Sequence, residues 1–346
     1  MGTITIRERR FGGSTPRTMK LSLILTLALS LGLVGCGGKS SGEGEAGGKS
    51  LKFLVITKSN NSPYWLAINR GAEDAAKKIG NIKIVAQAPA QQTDLAGQIQ
   101  MFNNGVSSGV DGILLAAQQA EPLSSVVKSA RDKGYPVVTV DAGVIPNTAN
   151  SSIATDNVAT SAELARKALD VVNTSTGSYA IITMDTTSQT GRTRIQGFEQ
   201  EMKKHSGYKE LPIQIANDDI GKARAATANL LQSHPDLNVI YANDNLGAVG
   251  AAQAVKASGR ADSIALVAFD VDAGALDYLK AGTLDVTAVQ QPYTMGYEGV
   301  LRLIKIIRKE QVPKSTGTKV FFLTPTNVGS PDAKQAISEY ISGYNG

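Results

Sequence analysis

Eight side chains able to hold a hydroxyl-rich molecule stand at or just beyond short apolar runs: Asn61, Tyr64, Trp65, Asp141, Arg192, Asn243, Asp270 and Gln290. A carboxylate accepts hydrogen bonds, a guanidinium donates them and an amide does both, so each can bind two adjacent hydroxyls. Tyr64 and Trp65 offer flat faces to the C–H side of a ring. Each residue also has a structural reading. Asp141 and Asp270 suit helix N-caps, Asn60 and Asn61 suit a turn, and Arg192 suits an ion pair with Glu199 or another surface acid. Tyr64 or Trp65 suits the core. What favours a site is the recurrence of one chemistry after strands in both halves of the chain.

The elements that must position these residues are legible as apolar runs. They predict strands at Lys52–Thr57, Ile82–Ala86, Ile113–Ala117, Val137–Asp141, Tyr179–Thr183, Ile213–Ala216, Val239–Ala242, Ala265–Phe269 and Val286–Gln290. Helical spacing predicts helices from Pro63 to about Ile79 and through Leu95, Ile99, Phe102 and Val106. Further helices are expected over Glu121–Lys133, Gly191–Lys204, Lys222–Gln232, Leu246–Ala257, Ala273–Lys280 and Thr294–Lys309. Strands alternating with amphipathic helices predict an α/β fold of doubly wound parallel sheets. In such sheets ligands bind outside the carboxyl ends of the strands. The segment Gly112–Gln118 parallels Asn238–Asn243, and Pro136–Asp141 parallels Ala265–Asp270, which predicts two similar lobes.

Composition narrows the function. The chain has 346 residues, enough for two domains at about 150 residues each. One cysteine excludes an intramolecular disulfide and a Cys-cluster metal site, and two histidines leave little for a His-rich centre. Residues Leu21–Val34 form an uncharged Leu-rich run after Lys20, too short to span a bilayer core, which needs about 20 residues. It ends in Leu33-Val34-Gly35-Cys36, which resembles a bacterial lipobox. The expectation is a signal peptide over 1–35, with Met19 an alternative start, and lipid attachment at Cys36. Residues 36–50 then form the lipidated cysteine and a flexible Gly/Ser tether. Five basic residues and one acid precede Cys36, so the formal +5 falls to 30 basic against 29 acidic residues beyond it. The basic balance is an export feature, and no nucleic-acid partner is indicated.

The chain from Lys52 to about Thr326 resembles the ribose/galactose/xylose-type periplasmic substrate-binding proteins of ABC transporters. The motifs are Asn60-Asn61-Ser-Pro-Tyr64-Trp65, Pro136-Val-Val-Thr-Val-Asp141, Ile153-Ala-Thr-Asp156-Asn157, Gly191-Arg192-Thr-Arg-Ile-Gln-Gly-Phe198, Tyr241-Ala-Asn243-Asp244, Ala268-Phe-Asp270 and Val289-Gln290-Gln-Pro292. The resemblance implies a type I periplasmic binding protein fold with no cofactor. Its lobes would be 51–155 plus 291–323 and 156–290 plus 324–346, joined by a three-segment hinge near Asp156-Asn157, Gln290-Gln291 and Leu323-Thr324. It further implies a ring stacked on Tyr64 or Trp65 and hydroxyls bonded by Asp141, Arg192, Asn243, Asp270 and Gln290. Hinge closure on a neutral sugar or polyol would then present a monomeric, lipid-anchored protein to its permease, on the periplasmic or cell-surface side. Two positions depart from the ribose-type pattern. Ala142 replaces an arginine, and Asp218 stands near an expected aromatic. Both point to a ligand other than ribose.

Three rivals differ in what they require. A repressor of the lac type needs a helix-turn-helix before the body, where this sequence has the lipobox and tether. A sugar-modifying α/β enzyme needs a nucleophile triad, a phosphate loop or a correctly spaced acid pair. A binding protein for a nucleoside or furanose-like signal, serving chemotaxis, shares the same lobes.

Overall fold

The computed structural model describes residues 50–60 and 62–344. Cys36, the leader, the tether to residue 49 and Asn61 lie outside the described residues. From the first strand onward, strand and helix alternate as β1 (Leu51–Ile56), α1 (Pro63–Ile79), β2 (Ile82–Gln87), α2 (Leu95–Ser107), β3 (Gly112–Leu115), α3 (Ala120–Asp132), β4 (Val137–Val140) and β5 (Ser151–Thr155). The second half continues with α4 (Asn157–Val172), β6 (Gly177–Thr183), α5 (Gln189–Met202), β7 (Tyr208–Glu210), β8 (Gln214–Ile215), α6 (Ile220–Ser233), β9 (Leu237–Ala242), α7 (Asn245–Ser258), β10 (Ala265–Phe269) and α8 (Ala273–Lys280). The last elements are β11 (Val286–Val289), α9 (Pro292–Ile307), β12 (Ser315–Thr318), β13 (Phe321–Leu323) and α10 (Pro331–Tyr340).

Two sheets result. The first runs β2-β1-β3-β4-β5-β12 and the second β7-β6-β9-β10-β11-β13, with β8 also on β6. All pairs are parallel except β13 on β11. Strands β3, β4 and β10 are buried at every residue, as strands covered by helices on both faces must be. The sheet orders superimpose position by position. Strands β3 and β9 hold the third place and β4 and β10 the fourth, which gives the sequence parallels between the halves a spatial meaning.

The chain passes between sheets three times: after β5, after β11, and between β12 and β13. The last passage falls at Lys319-Val320, before the expected Leu323-Thr324, because β13 pairs with β11 of the second sheet. Helix α10, expected in the second lobe, lies against α1 and α9 of the first as well as β13 of the second. Helices α1 and α9 approach through glycines. A Cβ on Gly71 would sit 2.0 Å from the Tyr293 carbonyl oxygen, and one on Gly296 would sit 2.0 Å from that of Ile68. Only glycine permits this approach.

Candidate functional site

Asp141 and Asp270 end the equivalent strands β4 and β10. Both adopt the left-handed backbone region, at φ 62° and 68°, which a side chain other than glycine rarely enters. The two turns are built alike. The Asp141 N–H donates to the Ile153 carbonyl of β5, and the Asp270 N–H donates to the Ala288 carbonyl of β11. Neither caps a helix. The caps in the second lobe fall to neighbours such as Asp244 on α7 and Asp272 on α8. The strained turns instead bring both carboxylates to the edge of one cavity between the lobes.

That cavity spans about 390 Å³ of non-protein space, counting the solvent at its open mouth. Besides Asp141 and Asp270 it is bordered by Lys58, Tyr64 and Trp65 from the first lobe and Thr190, Arg194, Asp218 and Asp244 from the second. Pro63 at the first turn of α1 fixes the helix start, so Tyr64 and Trp65 follow directly and turn inward. The Tyr64 hydroxyl donates to Asp141 Oδ1 at 2.6 Å. The Trp65 ring meets the Tyr64 ring edge-on at 4.9 Å, and the Lys58 ammonium stands 5.7 Å over the indole. Burial, then the nearby carboxylates, push the Tyr64 phenol well above its ordinary range, so it stays a hydrogen-bond donor.

On the second lobe Arg194 is 2% exposed. Its Nε donates to Asn157 Oδ1 at 2.8 Å and one terminal nitrogen to the Asn243 carbonyl at 2.6 Å. The guanidinium lies 3.7 Å over the Phe269 ring and 3.8 Å from Asp270 Oδ2. Asp270 Oδ1 also accepts from Tyr340 at 2.6 Å and from Gln290 Nε2 at 2.7 Å. Burial raises the Asp270 pKa, and Arg194 opposes that rise. Asp244 is pushed up to about 7 and Asp218 to about 6, in each case chiefly by burial. Repulsion from Asp218 adds to the rise at Asp244, and Lys58 opposes the rise at Asp218.

The sequence-predicted residues divide. Tyr64, Trp65, Asp141 and Asp270 border the cavity. Arg192, expected at the ligand, is instead a surface residue whose guanidinium holds both Glu121 oxygens, at 2.7 and 2.9 Å. The cavity arginine is Arg194, two positions on. It shares the inward face of α5 with Phe198 and Met202 at i+4 and i+8, a spacing that could have found it. Asn243, also expected at the ligand, stands behind the wall. Its amide donates to Thr183 Oγ1 and accepts from the Met184 N–H, and the next residue, Asp244, faces the cavity. Gln290 likewise supports from behind, joining Asp270 to Thr155 across the two sheets. Lys58 stands just past β1 and Asp244 one residue past Asn243 at the end of β9, so strand ends could have found both, whereas Asp218 sits in the loop between β8 and α6, which carries no apolar rhythm. Among the described residues no group of three His, Cys, Asp or Glu side chains is placed to hold a metal ion. Nor is any described helix long and apolar enough to cross a membrane.

Comparison with known proteins agrees with this geometry. A family model described as periplasmic binding protein domain matches residues 53–311. The chain is 27% identical to the D-allose-binding periplasmic protein of Escherichia coli (strain K12), over 77% of this chain and 89% of that protein. It is 29% identical to the ribose import binding protein of Bacillus subtilis (strain 168), over 85% and 95% of the two. Among solved structures, an ABC transporter solute binding protein from Agrobacterium vitis with bound D-fucose aligns at TM-score 0.78 and 30% identity. The alignment covers 82% of this chain and 98% of that one. A carbohydrate transporter solute binding protein from Agrobacterium radiobacter in complex with D-arabinose aligns at TM-score 0.79 and 25% identity, covering 83% and 99%. Two lobes of like topology, with matched aspartates at one cleft and a family match across both sheets, lead to one conclusion: the chain belongs to the periplasmic binding protein family.

Proposed function

We propose that this protein captures a sugar or polyol of about monosaccharide size between its two lobes and delivers it to an ABC transporter. The observation that carries the reading is the pair of strained aspartates, Asp141 and Asp270, brought from equivalent strands to opposite walls of one cavity. Carboxylates so placed accept from hydroxyls at two sides of a ring, Arg194 donates to it, and Tyr64 and Trp65 offer their faces. The relatives with this fold are named for ribose and allose. They are solute-binding transport proteins, and the reading here is binding without turnover.

The mechanism is hinge closure about the three passages between the sheets. Ligand contacts from both walls exist together only when the lobes meet, so a ligand shifts the population toward closure. Cys36 supplies the lipid anchor and the Gly/Ser segment the reach, and the protein works as a monomer outside the cytoplasmic membrane. The test is a thermal-shift screen of pentoses, hexoses, deoxysugars and polyols, followed by calorimetry. A ligand at 100 times its Kd adds about 2.7 kcal/mol of stability and a readable rise in Tm. Asp270→Ala should abolish the rise. Binding confined to amino acids or dicarboxylates would overturn the assignment.

A further inference from the structure

The cavity carries more negative charge than a neutral sugar requires, most of it on the second-lobe wall. Four carboxylates border the cavity, those of Asp141, Asp218, Asp244 and Asp270, against two cations, Lys58 and Arg194. Three carboxylates have visible counterparts: Asp141 has the Tyr64 hydroxyl, Asp270 has Arg194, Gln290 and Tyr340, and Asp218 feels the Lys58 charge. Asp244 is different. It is 4% exposed; its Oδ1 accepts from the Gly247 N–H at 2.7 Å, and its Oδ2 has no hydrogen-bond partner among the described residues. Nearby on the same wall, Thr190 is 2% exposed, and its hydroxyl is also without a partner. Buried polar atoms left unpaired are costly and rare, and both residues border the one cavity.

From this wall we infer that the ligand is a sugar carrying a protonated amine, whose ammonium sits between Asp244 and Asp218 within reach of Thr190. The inference rests on the sugar-binding reading and narrows it. An ammonium brings three N–H donors and one positive charge, which fits an unpaired carboxylate oxygen, a hydroxyl acceptor and a second carboxylate. A metal ion fits less well, because the described acids do not assemble into a metal-holding group. The upward displacement of both carboxyls is what two acids lacking such a cation should show.

The experiment is calorimetry on the full chain with matched sets: a hexose, its amino-sugar counterpart with the amine at C2, C3 or C6, the N-acetyl form of the C2 amine, and a ring-nitrogen analogue. The expected result is that one amine binds about 100-fold or more tightly than its hydroxyl parent, and that N-acetylation removes the gain. Asp244→Asn should erase that preference while keeping the helix cap, since asparagine caps as well as aspartate. Asp218→Asn should weaken it. Neutral sugars binding as tightly as every amine would overturn this inference and leave the proposed function standing. An amine preference that survives both substitutions would also overturn it. Binding of neither sugar class would overturn both readings.

Discussion

The two walls of the cleft begin from the same plan and end with different chemistry. Strands β4 and β10 hold the same place in their sheets, end in the same strained aspartate, and tie that aspartate to the next strand by the same backbone bond. Around Asp141 the first lobe sets aromatic groups: Tyr64 bonds it, and Trp65 packs on Tyr64. Around Asp270 the second lobe sets a buried guanidinium and two further acids. Topology therefore fixes where a polar group is offered, and the loops beyond the strands fix what it recognises. One wall suits the face of a ring and the other its polar edge.

The largest expected effect breaks the charged wall. Arg194→Met keeps the length of the side chain but leaves Asp270 buried without its cation. Removing one partner of a buried pair costs about 3–5 kcal/mol, which urea denaturation at pH 7.5 would show. The Asp270 pKa is already raised in the folded protein, and loss of Arg194 raises it further. A raised carboxyl pKa means stability is lost as pH rises, so the deficit should shrink at pH 5. A deficit that does not change with pH would mean that Arg194 acts through its packing and its hydrogen bonds to Asn157 and the Asn243 carbonyl, not through Asp270.

A smaller effect of opposite sign comes from the same wall. Asp244 titrates near 7 in the folded protein against an ordinary value of 3.8. Its folded form therefore holds a proton that the unfolded form has released, and stability falls between about pH 4 and 7. Asp244→Asn removes that slope. It should raise stability at pH 7.5 by about 2 kcal/mol, allowing for the coupling to Asp218, and by little at pH 4. Equal thermal shifts at both pH values would contradict the account.

On the aromatic wall Tyr64→Phe deletes one hydroxyl bonded to Asp141. A hydrogen bond to a charged group contributes about 1.5–3 kcal/mol, and Asp141 borders a cavity where water can replace part of it. The expected loss is about 1 kcal/mol, measured by the same denaturation. A loss matching that of Arg194→Met would erase the distinction between the walls.

How much of this was legible follows from what writes a signal in sequence. Strands β1, β3, β4, β9 and β10 are near-continuous apolar runs because helices cover both faces. Strand β5, Ser-Ser-Ile-Ala-Thr, was missed although it is largely buried, because its hydroxyls do the bonding: Ser151 to the Pro313 carbonyl, Ser152 to Thr139 and Thr155 to Gln290. Apolar periodicity cannot see a strand satisfied that way. Helix α4 was missed too, although Leu164, Ala165 and Ala168 lie on one buried face behind an Asp156 cap, so its signal was present. Asp141 and Asp270 were legible from strand ends alone. The cavity takes Asp244 rather than Asn243 and Arg194 rather than Arg192, one or two residues along the chain. At a strand end or on a helix a shift of one or two residues turns a side chain to another face, and so decides which one borders the cavity.

Arg192 gives the smallest effect and a test of whether the lobes are held together outside the cavity. It grips Glu121 at the start of α3 by two hydrogen bonds and also donates to the Thr187 carbonyl. Nearby, the Gly143 N–H of the first lobe donates to Gln189 of the second at 2.8 Å. Arg192→Ala would therefore loosen a rim contact between the lobes and leave the cavity walls unchanged. Both partners are well exposed, with 38% and 54% of their side-chain surface open, so salt screens the pair and its worth is small. Sugar affinity should fall less than about 5-fold at low ionic strength, and the difference should vanish near 1 M salt, where the screening length is about 3 Å. Titrations of the two proteins at both salt concentrations decide it. A large loss that survives high salt would return Arg192 to the ligand and make the cavity assignment of Arg194 incomplete.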